Sequence, residues 1–307
     1  MNAPVQIFDR ALLLRRRARA AADIAQHDFL LERVAEDLTD RLAAVKRTFP
    51  IAVNLSAYHG LVGEQLLRSG RAQLVIDAEP SVPLLARCGG LRIAADEEWL
   101  PFAPASLDLV VSGHGLHFVN DLPGALAQIR AALKPDGLFL ASLLGGSSLH
   151  ELREALLAAE EELEGGASPR VAPFADAREL GALIGRAGFA LPVADSDILT
   201  VGYPDAIALM QDLRGMAAAN ALVDRRRIPL RRATLHRAAE IYAERFPHPD
   251  GRIRATFEVV TLTGWAPDPS QQKPLRPGSA RMRLADALGT SEMGTGEKVP
   301  GEPPVGN

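Results

Sequence analysis

The chain has 307 residues, 47% hydrophobic and 23% charged, with a formal net charge of −4. That balance suits one large α/β domain with additions, or two small domains, and gives no overall basic field for nucleic acid. A single cysteine, Cys88, excludes an internal disulfide and a cysteine-rich zinc site, and no apolar run reaches the ~20 residues of a membrane-spanning helix.

Residues 1–49 are predicted to be a helical segment. Phe29, Leu30, Val34, Leu38 and Leu42 recur at helical spacing. Arg15-Arg16-Arg17, and later Arg225-Arg226-Arg227, read as solvated helix faces, with docking of an acidic partner as the alternative. Pro50 ends the block. Strands follow at Ile51–Leu55, Leu74–Asp77, Leu91–Ala94, Leu107–Ser112 and Leu138–Leu143, with helices between them, for example Leu122–Leu133. That helix is expected to stop at a Lys134-Pro135-Asp136-Gly137 turn. Short apolar runs without clean alternation suit strands covered on both faces. The alternation predicts an α/β fold with a doubly wound, Rossmann-like sheet.

Helices are predicted at Leu149–Leu163, Asp176–Gly188, Asp205–Ala219 and Ala233–Phe246, with a short strand at Ile198–Val201. Thr256–Thr263 is rich in β-branched residues and reads as the last strand. The domain-like part is thus 50–266, with a helical substrate- or partner-binding insertion at about 147–250. Residues 267–307 are rich in Pro, Gly, Ser and charge and read as a largely disordered tail.

Ligands of doubly wound folds sit beyond the carboxyl ends of the strands, at the switch point. That selects four places. The first is Asn54-Leu55-Ser56-Ala57-Tyr58-His59-Gly60, where glycines would be expected and only Gly60 remains. The second is Asp77, a candidate for ribose hydroxyls or, equally, a cap of the next loop. The third is Asp96 with Glu97, where Trp99 or Leu100 could flank an adenine ring or simply pack. The fourth is Ser112 to Asp121, with His114 and His117 as candidate catalytic residues or packing histidines. A metal site is not expected, for want of a third ligand. Cys88 reads as a small buried residue, not a nucleophile.

The order of these segments, Val-Asn-Leu-Ser-Ala-Tyr-His-Gly, Val-Ile-Asp77, Asp96-Glu-Glu-Trp-Leu-Pro-Phe and Leu-Lys-Pro-Asp-Gly, resembles class I S-adenosylmethionine (SAM) methyltransferases. Ile7-Phe8-Asp9-Arg10, Leu116–Pro123, Gly145–Arg153, Asp212–Met216 and Lys273–Ala280 are most similar to the mitochondrial complex I assembly-factor arginine hydroxylase family. Its bacterial members are often grouped with the biotin-synthesis malonyl-carrier-protein methyltransferases. The resemblance implies SAM as cofactor, held by Asn54, Leu55, Ser56, Tyr58, Gly60, Asp77, Asp96, Glu97 and Ser112. It also implies a protein partner, such as a respiratory complex I subunit being methylated or hydroxylated, and a bacterial cytoplasmic setting.

Two alternatives stay open: a non-catalytic assembly factor that has lost SAM, and a carboxyl methyltransferase of malonyl-carrier protein. The departure from the family is the loop pattern Asp-Leu-Gly-x-Gly-x-Gly, which here reads Asn54-Leu55-Ser56-Ala57-Tyr58-His59-Gly60. Left-handed geometry costs a non-glycine residue roughly 1–2 kcal/mol, so the loop is expected to take another path and SAM affinity to be weakened or lost.

Overall fold

The computed structural model describes residues 6–272 and Gly289. The chain divides into two units, Met1–Asp268 and Pro269–Asn307. The Lys273–Ala280 motif and nearly all of the expected tail lie outside the described residues.

Two helices come first. α1 (Arg10–Ala20) is capped by Asp9, whose carboxylate accepts from Leu12 N at 2.9 Å. α2 (Phe29–Ala44) buries Leu30, Leu31, Val34, Ala35, Leu38 and Leu42, the apolar face that its spacing dictates. The sheet has seven strands: β1 (Phe49–Leu55), β2 (Ala72–Ala78), β3 (Leu91–Ile93), β4 (Leu107–Ser112), β5 (Leu133–Leu144), β6 (Ala190–Tyr203) and β7 (Ile253–Trp265). Their order is β3-β2-β1-β4-β5-β7-β6. The first five run parallel, and β7 inserts antiparallel between β5 and β6. Order reverses between β1 and β4, which fixes the switch point.

Helices α3 (Leu61–Arg68), α4 (Val82–Leu85), α5 (Leu122–Ala132), α6 (His150–Glu164), α7 (Ala177–Arg186), α8 (Ala206–Gly215) and α9 (Arg232–Arg245) complete the layers. Alternate residues of the central strands serve two cores. Ala52, Leu109, Val111 and Leu140 pack with α2, α6, α8 and α9, whereas Val53, Val110, Phe139 and Val260 pack with α5 and α7.

Three expectations need correction. The Lys134–Gly137 segment does not separate α5 from the strand. β5 already starts at Leu133, paired with Leu107, and the next pair is Leu109 with Leu138, so the intervening residues bulge out with Asp136 at φ 60°. The short strand at Ile198–Val201 is only part of the second half of the 14-residue β6, so the insertion is not wholly helical. β6 pairs only with β7 and leaves Leu191, Val193 and Ile198 exposed, so it carries no buried-strand signature. Four of the six triplet arginines do not lie on solvated faces, while Arg15 and Arg227 are exposed. Arg17 is buried, Arg16 donates to the carbonyls of Ala219 and Asn220, Arg225 pairs with Asp9, and Arg226 pairs with Glu164.

Candidate functional site

The tips of β1, β2, β3 and β4 converge on the switch-point crevice, and α1 lies across it. At the end of β1, Asn54 pairs in register with Asp77 of β2. Its Nδ2 donates to Asp77 Oδ1 at 2.8 Å. Asp77 is therefore inside the sheet layer, and the first turn of α3 lies against it: a Cβ on Gly63 would come within 2.4 Å of its carboxylate. Burial raises the Asp77 pKa to about 6, against the opposing hydrogen bond from Asn54. Leu55 is fully buried and contributes packing.

The loop after β1 keeps the left-handed path. Ser56 has φ 56°, Tyr58 φ 53° and Gly60 φ 92°. The expectation of another path is therefore overturned, and the reason is visible in the contacts. Ser56 Oγ donates to Glu97 at 2.7 Å, Tyr58 N to Glu79 at 3.1 Å, and Tyr58 Oη to the His114 carbonyl at 3.0 Å. These bonds offset a backbone cost of about 1–2 kcal/mol per residue.

The centre of the crevice is held by charges. Arg17 reaches in from α1, fully desolvated, with its guanidinium 5.0 Å above the Tyr58 ring. It donates to Glu79 at 3.2 Å and to Glu97 at 2.8 Å, and both carboxylates have no solvent exposure. Arg10 pairs with Glu97 and, at 2.8 Å, with the half-exposed Asp96. Burial opposes the charge on Glu97, yet Arg17, Arg10 and the Ser56 hydroxyl together hold its pKa down to about 2. Burial pushes Glu79 upward, with Arg17 working against it. Among the described residues, one Arg17 nitrogen, Nη2, has no hydrogen-bond partner, and neither have the buried Asn54 Oδ1 and Ser112 Oγ.

Beyond Tyr58 lies a small apolar cavity of about 50 Å³, lined in part by Leu31, Tyr58, His114, His117, Leu144 and Phe257. His114 is buried. The Leu30 backbone acts on its charge, but neither ring nitrogen is in hydrogen-bonding geometry with a partner. Burial lowers its pKa to about 4, so the ring is neutral. His117 stacks edge-on with His114 and tilts on Phe118; burial, then its neighbour His114, push its pKa well down. Trp99 is 80% exposed and flanks nothing in the crevice. Cys88 is buried beside Gly60, and burial with Asp77 nearby pushes its thiol up to about 12.

The structure thus brings Asn54, Ser56, Tyr58, Glu97, Ser112 and His114 to the crevice, with Asp96 at its rim. Asp77 lies beneath. Glu79, Arg10 and Arg17 were missed. The signal for Glu79 was its place at the strand tip, directly after Ala78. The signal for Arg10 and Arg17 was their seven-residue spacing, which sets both on one face of α1. The N-terminal segment is tied down by Asn120, whose Oδ1 accepts from Ile7 N and Phe8 N at 2.8 Å.

This topology, with strand tips converging at the β1/β4 switch point, is that of the class I methyltransferase fold. Residues 57–141 match a family model described as a methyltransferase domain. The chain is 38% identical to "Arginine-hydroxylase NDUFAF5, mitochondrial" of Danio rerio, over 92% of this chain and 89% of that protein. It is 30% identical to a malonyl-[acyl-carrier protein] O-methyltransferase of Gallionella capsiferriformans, over 86% of this chain and 93% of that one. Among solved structures, the YcgJ protein of Bacillus subtilis superposes with a TM-score of 0.53 at 13% identity, over 76% of this chain and 99% of that chain, a likeness of fold. The chain belongs to the class I SAM-dependent methyltransferase superfamily, in the branch that holds these arginine hydroxylases and malonyl-carrier-protein methyltransferases.

Proposed function

We propose that this chain acts on a protein partner during respiratory complex I assembly, and that it does so with little or no hold on SAM. The first half is supported by 38% identity, over most of both chains, to a protein named for arginine hydroxylation. The second half rests on one observation: the guanidinium of Arg17 fills the switch-point crevice between Glu79 and Glu97. SAM is the cofactor of this superfamily, but the residues present do not fit it. The β1 and β4 loops are closed on each other, since a Cβ on Gly115 would lie 1.8 Å from Ser56 Oγ. The positive charge that such a crevice would accept is supplied from within the chain. This favours the assembly-factor reading over methyl transfer, and no catalytic step is assigned to His114 or His117.

A bacterial cytoplasmic setting belongs to the same proposal. The bacterial relative supports it. Titration calorimetry with SAM should give no heat with the parent chain. Deletion of the gene should lower NADH:quinone oxidoreductase activity in membranes. Peptide mass spectrometry of complex I subunits from the deletion strain tests for loss of an arginine heavier by one oxygen. Heat from SAM sinks the second half, and unchanged membrane activity sinks the first.

A further inference from the structure

We propose that the groove between α1 and α8 docks an acidic protein segment that carries an apolar anchor. The inference rests on the reading that the chain has a protein partner, and it names the surface and the partner's chemistry. The groove, about 500 Å³, is lined by Arg16 and Arg19 of α1, Arg214 of α8, and His27, with Asp23 as its one carboxylate. Arg19 and Arg214 are exposed, and their side chains make no ion pair or hydrogen bond to any described residue. Arg16 donates from Nη1 to two backbone carbonyls and forms no salt bridge among the described residues. Burial and the repulsion of Arg225, Arg19 and Arg214 lower the Arg16 pKa against the attraction of Asp9, as expected where like charges gather. On a chain of net charge −4 this is a local positive field that charged segments of the other sign would find.

Two further features give the groove shape. An adjoining hollow of about 300 Å³ shares Arg16, Arg214 and Ala219 with it and is lined by Leu152, Leu156, Phe174, Leu213 and Leu230. Apolar side chains beside unpaired arginines suit a segment with acidic residues next to a Leu- or Phe-like anchor. Two hollows that share lining residues suit a chain segment better than a small enclosed molecule. His27 is held at the floor: its Nδ1 lies 2.6 Å from Asp212, whose other oxygen accepts from Tyr203 Oη at 2.7 Å. Gly215 makes room for that ring, because a Cβ there would lie 2.2 Å from it. The Asp212–Met216 motif thereby gains a role, since it fixes one wall of the groove.

The test is fluorescence anisotropy of the full chain with a fluorescein-labelled helical peptide that carries Glu and Leu on one face. Arg19→Glu with Arg214→Glu is expected to weaken binding about tenfold or more. A peptide with Gln for Glu, or with Ser for Leu, should lose most of its affinity. Both positions are exposed, so thermal melting should show the double variant folded as the parent is. Equal binding by the double variant, or by the Gln peptide, overturns the proposal. So does full displacement by inorganic phosphate, which would mark a small-anion site, or a dimer of this chain that dissociates on the double substitution. The peptide assay needs no complex I, so its failure is separable from failure of the assembly reading.

Discussion

Replacing Arg17 with methionine keeps most of the side-chain volume in the crevice and removes the charge. The magnitude follows from Glu97. Its pKa is held at about 2 in the folded chain, against ~4.3 for a free glutamate. At ~1.4 kcal/mol per unit this is about 3 kcal/mol, a share of which Arg10 and Ser56 supply. Glu79 in addition loses the one cationic partner it has among the described residues. Breaking a buried pair on one side costs ~3–5 kcal/mol in general, so Arg17→Met is expected to lose about that much at neutral pH.

The pH dependence gives the sharper result. The folded pKa of Glu97 is depressed, so its stabilisation is complete above the unfolded value and fades as pH falls from ~4.3 toward 2. In the variant, burial without Arg17 raises both carboxylates, and their penalty is relieved by protonation. Urea unfolding followed by circular dichroism should therefore show a gap between parent and variant that is widest near pH ~7 and narrows below ~5. A gap under about 1 kcal/mol, or one that does not change with pH, would refute the pairing of Arg17 with Glu79 and Glu97.

Three other measurements bear on the same region. Ser56→Gly should be less destabilising than Ser56→Ala by urea unfolding: both lose the bond to Glu97, worth ~1.5–3 kcal/mol, but only glycine is at ease in the left-handed backbone. The reverse order would mean that Ser56 is not left-handed. Asp77→Asn should stabilise the chain by about 1–3 kcal/mol above pH ~6 and have little effect near pH ~4. The sign follows from a folded pKa of about 6, raised above the unfolded value, so the cost of charging Asp77 grows as pH rises; a loss of stability at neutral pH would contradict it. Cys88, buried and with its thiol pushed up to about 12, should resist a thiol-reactive dye near pH ~8 until denaturant is added. Rapid labelling of the native chain would contradict its burial.

Much of the fold was legible because its signals are local. The apolar spacing of α2, the short strands and the acid-capped helices are dictated within a window of a few turns, as in α7, where Asp176 and Glu179 form a capping box. The edge strand β6 was mostly illegible because its apolar and polar residues alike are exposed, and its pairing depends on β7, some sixty residues away. The site shows the same division. Asn54, Ser56, Tyr58, Asp96 and Glu97 could be placed because strand tips announce themselves by order and spacing. Arg17 could not, since a guanidinium at the end of Arg15-Arg16-Arg17 reads as a surface charge until the residues facing it are known.

The crevice residues are best understood as one interdependent set. Arg17 is tolerable inside the chain only because Glu79 and Glu97 neutralise it; either carboxylate alone would leave an imperfectly paired buried charge. Glu97 is fixed in turn by Ser56 and Arg10, and Glu79 by the backbone N–H groups of Tyr58 and Ser81. Ser56 and Tyr58 bear left-handed strain that these bonds offset, and Tyr58 also provides the ring under Arg17. A glycine at both positions would relax the backbone but remove the Ser56 bond and the ring together. It follows that Ser56→Gly and Tyr58→Gly by themselves would not recreate a cofactor site, because Arg17 would remain paired with the two carboxylates. Opening the crevice requires the loop and α1 to change at once, and calorimetry with SAM on Arg17→Ala combined with both glycine substitutions is the experiment in which affinity should first emerge.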